Sequence, residues 1–521
     1  MSATCWLPTW SCSLSRAHHN LCVRARILRS QPRLFLPISH SPRCHQFSSQ
    51  PTRRRRLLTL AIETSCDDTC VAVLEKDAGP KGAAHLLFND KTTSANRSFQ
   101  GVHPLVAVAS HTEHIAGLVR EAMRALPNAL GKQDADLRDG NRDRNIGGEE
   151  NVLWVDGQAR RKPDFVAVTR GPGMLSSLAT GLNMAKGLAV AWDIPLLGVN
   201  HMQAHALTPR LVSALEAGKQ ERTQEEKEKS FEPTPAFPFL SLLVSGGHSL
   251  LVLSRSLNDH AILAQAKSIA VGDMIDKCAR AILPASAIAG GGETIVYGAL
   301  LERFAFPSPS SPSSPQDAYA DTADTIDYGY TPPAKRVDEI QNFDSGRGWF
   351  LRPPLALSRD MQYEFGGMNG HVLKILDERP DMDLAQRRVL ARETMRLTFE
   401  HLATRVLFAL DASEGRAGDR SLAGVRTLVV AGGVASNRYL MHILRAMLDV
   451  RGYGHIGIVS PPLSLCTDNA AMIAWTGMEM YEAGWRTELD VTPIKKWPLD
   501  PNVDGGILGV GGWKNVDGKT A

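Results

Sequence analysis

Apolar residues and short polar turns alternate from Leu57 onward. Leu57 to Ile62 predicts a buried strand, Glu63 to Thr69 a turn of Thr, Ser and Asp, and Cys70 to Leu74 the returning strand of a hairpin. The layout recurs as Phe239 to Val244, the turn Ser245 to Ser249, and Leu250 to Leu253. Between the hairpins, Val166 to Val168 predicts a strand ending at Thr169-Arg170-Gly171-Pro172-Gly173, followed by a helix over Met174 to Trp192. Ser110 is read as the start of an earlier helix, with His111 and His114 on its surface. The run Ile194 to Val199 leads into a helix headed by Asn200-His201-Met202-Gln203-Ala204-His205. Further on, Asp383 to Leu410 is periodic as an amphipathic helix, and Leu428 to Ala431 predicts a strand running into Gly432-Gly433 and a helix. A last short strand, Ile456 to Ser460, precedes a Pro461-Pro462 turn and Asp468.

Two halves that each open with a hairpin follow the plan of the actin-like and sugar-kinase-like α/β fold. That fold is two RNase H-like halves with a nucleotide cleft between them, although two unrelated hairpins would leave the same local signal. The expected first half is 57–195 plus 463–500 and the second is 196–462, with a loose Gly-rich tail over 501–521. Segments 128–162, 216–235 and 307–348 lack a usable period and read as inserted loops. Backbone N–H groups in Gly-rich turns favour anions, and two adjacent glycines allow a flat base or ribose to approach. The Gly432-Gly433 pair equally suits tight strand-to-helix packing.

Residues 1–56 change the charge picture. They are Ser-rich, hold ten arginines and contain no Asp, Glu or Lys, the composition of a mitochondrial transit peptide. The whole chain carries +3, so the remainder carries −7, and a polyanion would have to bind a local patch. Cys66, Cys70, Cys278 and Cys466 remain after that segment and form no CxxC pair, which suits a reducing compartment such as the matrix. No apolar run approaches the roughly 18 residues of a membrane span, and no membrane partner is expected.

Histidines at i and i+4 share a helix face, so His201 and His205 could reach one divalent ion, with Asp468 as a third ligand. Taken alone, the pair is also consistent with two partly exposed helix histidines. Two imidazoles and a carboxylate suit zinc, iron or manganese and leave coordination positions open.

Together these motifs resemble the tRNA N6-adenosine threonylcarbamoyltransferases, a family once labelled glycoprotein endopeptidases. The resemblance rests on Ile62 through Thr69, Thr169 through Gly173, Asn200 through His205, Val244 through His248, Asp276-Lys277, Ala431 through Asn437, and Cys466 through Asn469. It implies one divalent ion per subunit, zinc or iron, on His201, His205 and Asp468. It also implies substrate contacts from Val244, Ser245, Gly246, Gly247, His248, Asp276, Gly292 and Asn437. The implied reaction moves a threonylcarbamoyl group from threonylcarbamoyl-AMP, made by a separate enzyme, to N6 of adenine 37 in tRNAs reading codons that start with A. The transit peptide points to the stand-alone homodimeric branch of the mitochondrial matrix.

Three departures stand out. Gly290-Gly291-Gly292-Glu293 replaces Pro-Gly-Gly-Pro, allowing a one-residue slip in register. Leu105 and Ala109 stand where Glu and Arg are common, and Phe365-Gly366-Gly367-Met368-Asn369 lacks the usual final Lys. Rival readings are a metalloprotease and a small-molecule kinase-like ATPase of the same fold. The first lacks the Glu that HExxH enzymes use to activate water.

Overall fold

Two sheets of one strand order carry the molecule. The first contains β1 (Arg56–Glu63), β2 (Asp68–Asp77), β3 (Ala84–Thr93), β6 (Phe165–Gly171), β7 (Leu196–Asn200), β16 (Trp485–Thr487) and β17 (Trp513–Asn515). Its order is β17-β16-β7-β6-β1-β2-β3. The second contains β8 (Phe239–Val244), β9 (Ser249–Ser256), β10 (Asp259–Ala266), β13 (Gln362–Tyr363), β14 (Thr427–Ala431) and β15 (Gly457–Val459), in the order β13-β10-β9-β8-β14-β15.

In each sheet the first three strands pair antiparallel, and two later strands add in parallel beside the first: β6 and β7 beside β1, β14 and β15 beside β8. The expected duplication therefore holds at the level of topology. This computed structural model describes residues 56–77, 82–96, 102–129, 151–219, 231–289, 296–307, 327–415, 422 and 424–518, all within the compact unit Arg54–Ala521. The transit-peptide expectation thus lies outside the described residues, Arg56 aside.

Both faces of the central strands β1, β2, β6 and β7 are covered, so these are buried at nearly every position, whereas the edge strand β3 is part-exposed. Leu58, Leu60 and Ile62 of β1 face α1 (Pro104–Arg124) and α2 (Leu175–Trp192), while Ala61 faces the opposite core with the helix Ala470–Glu482. That helix also packs on α3 (His201–Lys219), which contacts strands of both sheets and is buried on nearly every side. The two histidines are consequently 7% and 5% exposed and do not lie on a solvated helix face.

Several expectations need correction. α1 begins at Pro104, well before Ser110, because proline suits the first helical turn. His111 is fully buried: its Nδ1 pairs with Thr69 Oγ1 at 2.8 Å, and its Nε2 donates to the Cys66 carbonyl at 3.0 Å. Within the segment expected as an inserted loop, β4 (Val152–Val155) and β5 (Gln158–Arg161) form a hairpin. Its turn, Asp156-Gly157, has both residues at positive φ, the geometry an Asp-Gly pair favours. Asp156 then receives Arg120 and Arg124 from α1.

Residues 327–348, also expected as loop, are packed. Tyr328 stacks on Tyr439 with centroids 4.9 Å apart, and β11 (Phe343–Asp344) pairs with β12 (Phe350–Leu351). Residues 130–150, 220–230 and 308–326 of the three expected insertions lie outside the described residues. β7 joins the first sheet beyond the expected boundary at 195, and β17 places part of the expected loose tail at that sheet's edge.

Candidate metal centre and cleft

Two helix starts bring the triad together. Asn200 ends β7 and accepts hydrogen bonds from Met202 N (3.0 Å) and Gln203 N (3.2 Å), so its side chain caps α3, which opens with His201 and carries His205 one turn on. Across the molecule, Asn469 accepts from Met472 N at 3.0 Å and caps the helix Ala470–Glu482, which sets Asp468 just ahead of that helix. Asp468 Oδ1 lies 3.1 Å from His205 Nε2 and 3.6 Å from His201 Nε2. The three ligand atoms fall within 4.8 Å of one another.

A buried carboxylate that sequence reasoning did not single out stands behind the pair. Glu63, at the end of β1, lies with Oε2 3.1 Å from His201 Nδ1; Ser65 N donates to its Oε1 at 2.5 Å, and Thr169 Oγ1 donates to its Oε2. With Nδ1 committed to Glu63, His201 presents Nε2 toward Asp468.

Burial opposes charge on His201, but the Glu63 and Asp468 carboxylates outweigh it and push its pKa up to about 9. Burial likewise opposes charge on Asp468, yet His201 and His205, with Lys91 beyond them, hold it ionised far below the usual carboxylate range. A buried carboxylate, Glu63, and a part-buried one, Asp468, thus flank His201 and favour a cation between them. A proton on His201 supplies one, and a divalent ion would supply more charge to the same donors. His205 Nδ1 is also buried without a hydrogen-bond partner among the described residues. The donor set fits a divalent cation.

Beside the triad lies a cavity of about 950 Å³. Gly246, Asp276 and Asn437 line it, as does Gly433, and Thr467 and Asn469 bring it up to either side of Asp468. The β8–β9 turn is self-bonded: Gly247 N and His248 N donate to Ser245 Oγ at 3.2 and 3.0 Å, and Ser245 N donates to the His248 carbonyl at 2.9 Å. Gly247 N–H is therefore committed inside the turn.

Val244 is fully buried and ends β8. His248, exposed at the end of the β8–β9 turn, does not line the cavity, and desolvation by the surrounding protein, followed by the charges of His201 and His205, lowers its pKa to about 4. Asn437 spends its Oδ1 capping the helix Arg438–Val450 through Leu440 N, at 3.0 Å.

The expected contact Gly292 lies outside the described residues, with Gly290 and Gly291. Gly298 is the cavity-lining glycine beside Asp276: a Cβ there would sit 3.9 Å from Asp276 Oδ1. Burial pushes the Asp276 carboxyl up. Glu302, also on the wall, accepts Tyr439 N at 2.9 Å, and burial pushes its pKa up to about 7. Glu302 and Lys91 lacked any motif to mark them.

Comparison with known proteins adds sequence-wide support. The family profile described as TsaD, tRNA N6-adenosine threonylcarbamoyltransferase, matches residues 156–221 and 225–475. A Schizosaccharomyces pombe protein named tRNA N6-adenosine threonylcarbamoyltransferase, mitochondrial, is 32% identical over 506 residues, spanning 95% of this chain and 98% of that one. A relative named tRNA N6-adenosine threonylcarbamoyltransferase from Cereibacter sphaeroides is 31% identical over 452 residues, 86% of this chain and 95% of its own. One of the same name from Rhizobium etli is 30% identical over 452 residues, 85% and 95% of the two chains. On the strength of these matches, the chain belongs to the tRNA N6-adenosine threonylcarbamoyltransferase family of acyltransferases.

Proposed function

We propose that this protein transfers the threonylcarbamoyl group of threonylcarbamoyl-AMP to N6 of adenine 37 in mitochondrial tRNAs reading codons that start with A. The observation that carries the reading is the convergence of His201, His205 and Asp468 next to a cavity of about 950 Å³ whose wall includes Thr467 and Asn469, the neighbours of Asp468. In the reaction the N6–C bond forms, the bond from the carbamoyl carbon to the phosphate oxygen breaks, AMP leaves with that electron pair, and N6 loses a proton.

His201, His205 and Asp468 would hold one zinc or iron ion per subunit. When bound there, such an ion supplies Lewis acidity next to the acyl phosphate. The chain's own groups do the rest. Glu63 orients His201, and Gly246 offers its backbone N–H from the β8–β9 turn to the anionic side of the donor. Gly433 leaves room for the nucleoside, and Asn437 stands at that wall. Asp276, raised by burial and facing the cavity, is the candidate to accept the N6 proton.

A site in the mitochondrial matrix is supported by the composition of residues 1–56 and by the name of the S. pombe relative. A homodimer would let Lys and Arg of both subunits meet tRNA on a body of net charge −7. The functional partner is the enzyme that makes the donor.

The test is incubation of the purified chain with threonylcarbamoyl-AMP and unmodified tRNA, followed by nucleoside analysis. Threonylcarbamoyladenosine should form, fail to form on tRNA carrying guanine at position 37, and disappear on chelation. Casein cleavage sensitive to chelator, or ATP turnover without tRNA, would favour a rival instead.

A further inference from the structure

Lys91 lies on β3, in a stretch that no motif covers, and it lines the same cavity as Asp276 and Glu302. Its Nζ donates to Asp68 Oδ2 at 2.8 Å and to Thr467 Oγ1 at 3.2 Å, and Thr93 Oγ1 holds the other oxygen of Asp68. An ammonium has three donors. Two partners aim this one and leave the third for a ligand, with the side chain 39% exposed. Lys91, Arg303 and Arg438 are the cations among the described residues lining the cavity. Only Lys91 is bonded to the loop that carries Asp468.

The cation missing at Asn369 bears on the same question. Cys278 Sγ approaches Asn369 Oδ1 at 3.7 Å, so that side chain is engaged with the helix Val271–Ile282, and Asn369 does not line the cavity.

We infer that Lys91 binds the phosphate of the nucleotide donor beside the triad, supplying from the first sheet the positive charge that the Asn369 segment lacks. The nucleotide remains as a phosphate monoester when it departs, so the same ammonium neutralises the leaving group. This rests on the proposed function in that the cavity must accept an adenylate.

The experiment compares binding of AMP and adenosine to the full-length protein by calorimetry, for the parent, Lys91→Met and Lys91→Arg, with tRNA affinity measured in parallel. The parent should prefer AMP by about tenfold or more, the value of one charge-assisted hydrogen bond. Lys91→Met should erase that preference with adenosine and tRNA affinity unchanged, and Lys91→Arg should restore most of it.

An AMP preference retained in Lys91→Met overturns the inference. So does an equal loss for AMP and adenosine, which marks a purely structural bridge to Asp68 and Thr467. A fall in tRNA affinity alone assigns Lys91 to the RNA backbone and overturns it as well. A parent that binds neither AMP nor adenosine refutes the nucleotide cavity itself, and the proposed function with it.

Discussion

Glu63 illustrates how one residue can govern a site without touching its ligand. It holds His201 by Nδ1, and loss of such a partner typically weakens metal affinity about 10- to 100-fold. Glu63→Gln should show that loss in competition with a chromogenic chelator, while the far-ultraviolet spectrum stays that of the parent. Glu302 makes a separate prediction. Its folded pKa near 7 lies above the ordinary 4.5, so between those values the folded chain keeps a proton that the unfolded chain has lost. Stability attributable to this group is therefore full below pH 4.5 and is lost as pH rises through 7. Urea titrations across that window should show a shallower decline for Glu302→Gln than for the parent; identical slopes would refute the burial effect. The triad was legible because metal chemistry restricts ligand types and spacing. Lys91 and Glu302 were not, since a lone acid or base in a strand or short helix carries no period, and Glu63 lay inside the Ile62 to Thr69 motif with nothing to mark its role behind His201. His111 was misread because periodicity identifies a helix face and cannot say what covers it.

At the scale of elements, the two glycines after β14 separate packing from binding. Gly432 has φ +99°, and a Cβ there would lie 2.4 Å from the Val244 carbonyl oxygen, so it permits the close approach of β8 and β14. A Cβ on Gly433 meets nothing within 4 Å and would project at the cavity wall. Gly432→Ala should destabilise the fold by about 1–3 kcal/mol or more in urea unfolding. Gly433→Ala should stay within about 1 kcal/mol of the parent yet weaken AMP binding. Both roles were open in the sequence, because a Gly-Gly pair does not state which backbone will approach it. The long helix over Asp383 to Leu410 was legible from its period, and the two opening hairpins from apolar runs on either side of a polar turn. The β4–β5 hairpin was not, because a charged, Gly-bearing stretch masked its Asp-Gly turn.

For the molecule as a whole, duplication was readable as two strand-turn-strand openings separated by helices. The edge additions β16 and β17 were not, because three-residue strands lack a pattern long enough to stand out. The binding reading also has a thermodynamic consequence: a ligand that binds only the folded chain stabilises it by mass action. Zinc at about 100 times its dissociation constant should add about 2.7 kcal/mol, read as a higher melting temperature, and His205→Ala should remove that increment. Residues 1–56, fused to a reporter, should carry it into mitochondria, whereas the chain without them should remain outside.

The decisive measurement sets the parent and a folded His201→Ala variant side by side with threonylcarbamoyl-AMP and an unmodified tRNA transcript, and quantifies threonylcarbamoyladenosine by mass spectrometry. Parent protein should modify adenine 37, and the variant should fall to the uncatalysed background. Equal yields from both would contradict a transferase centre built on His201, His205 and Asp468.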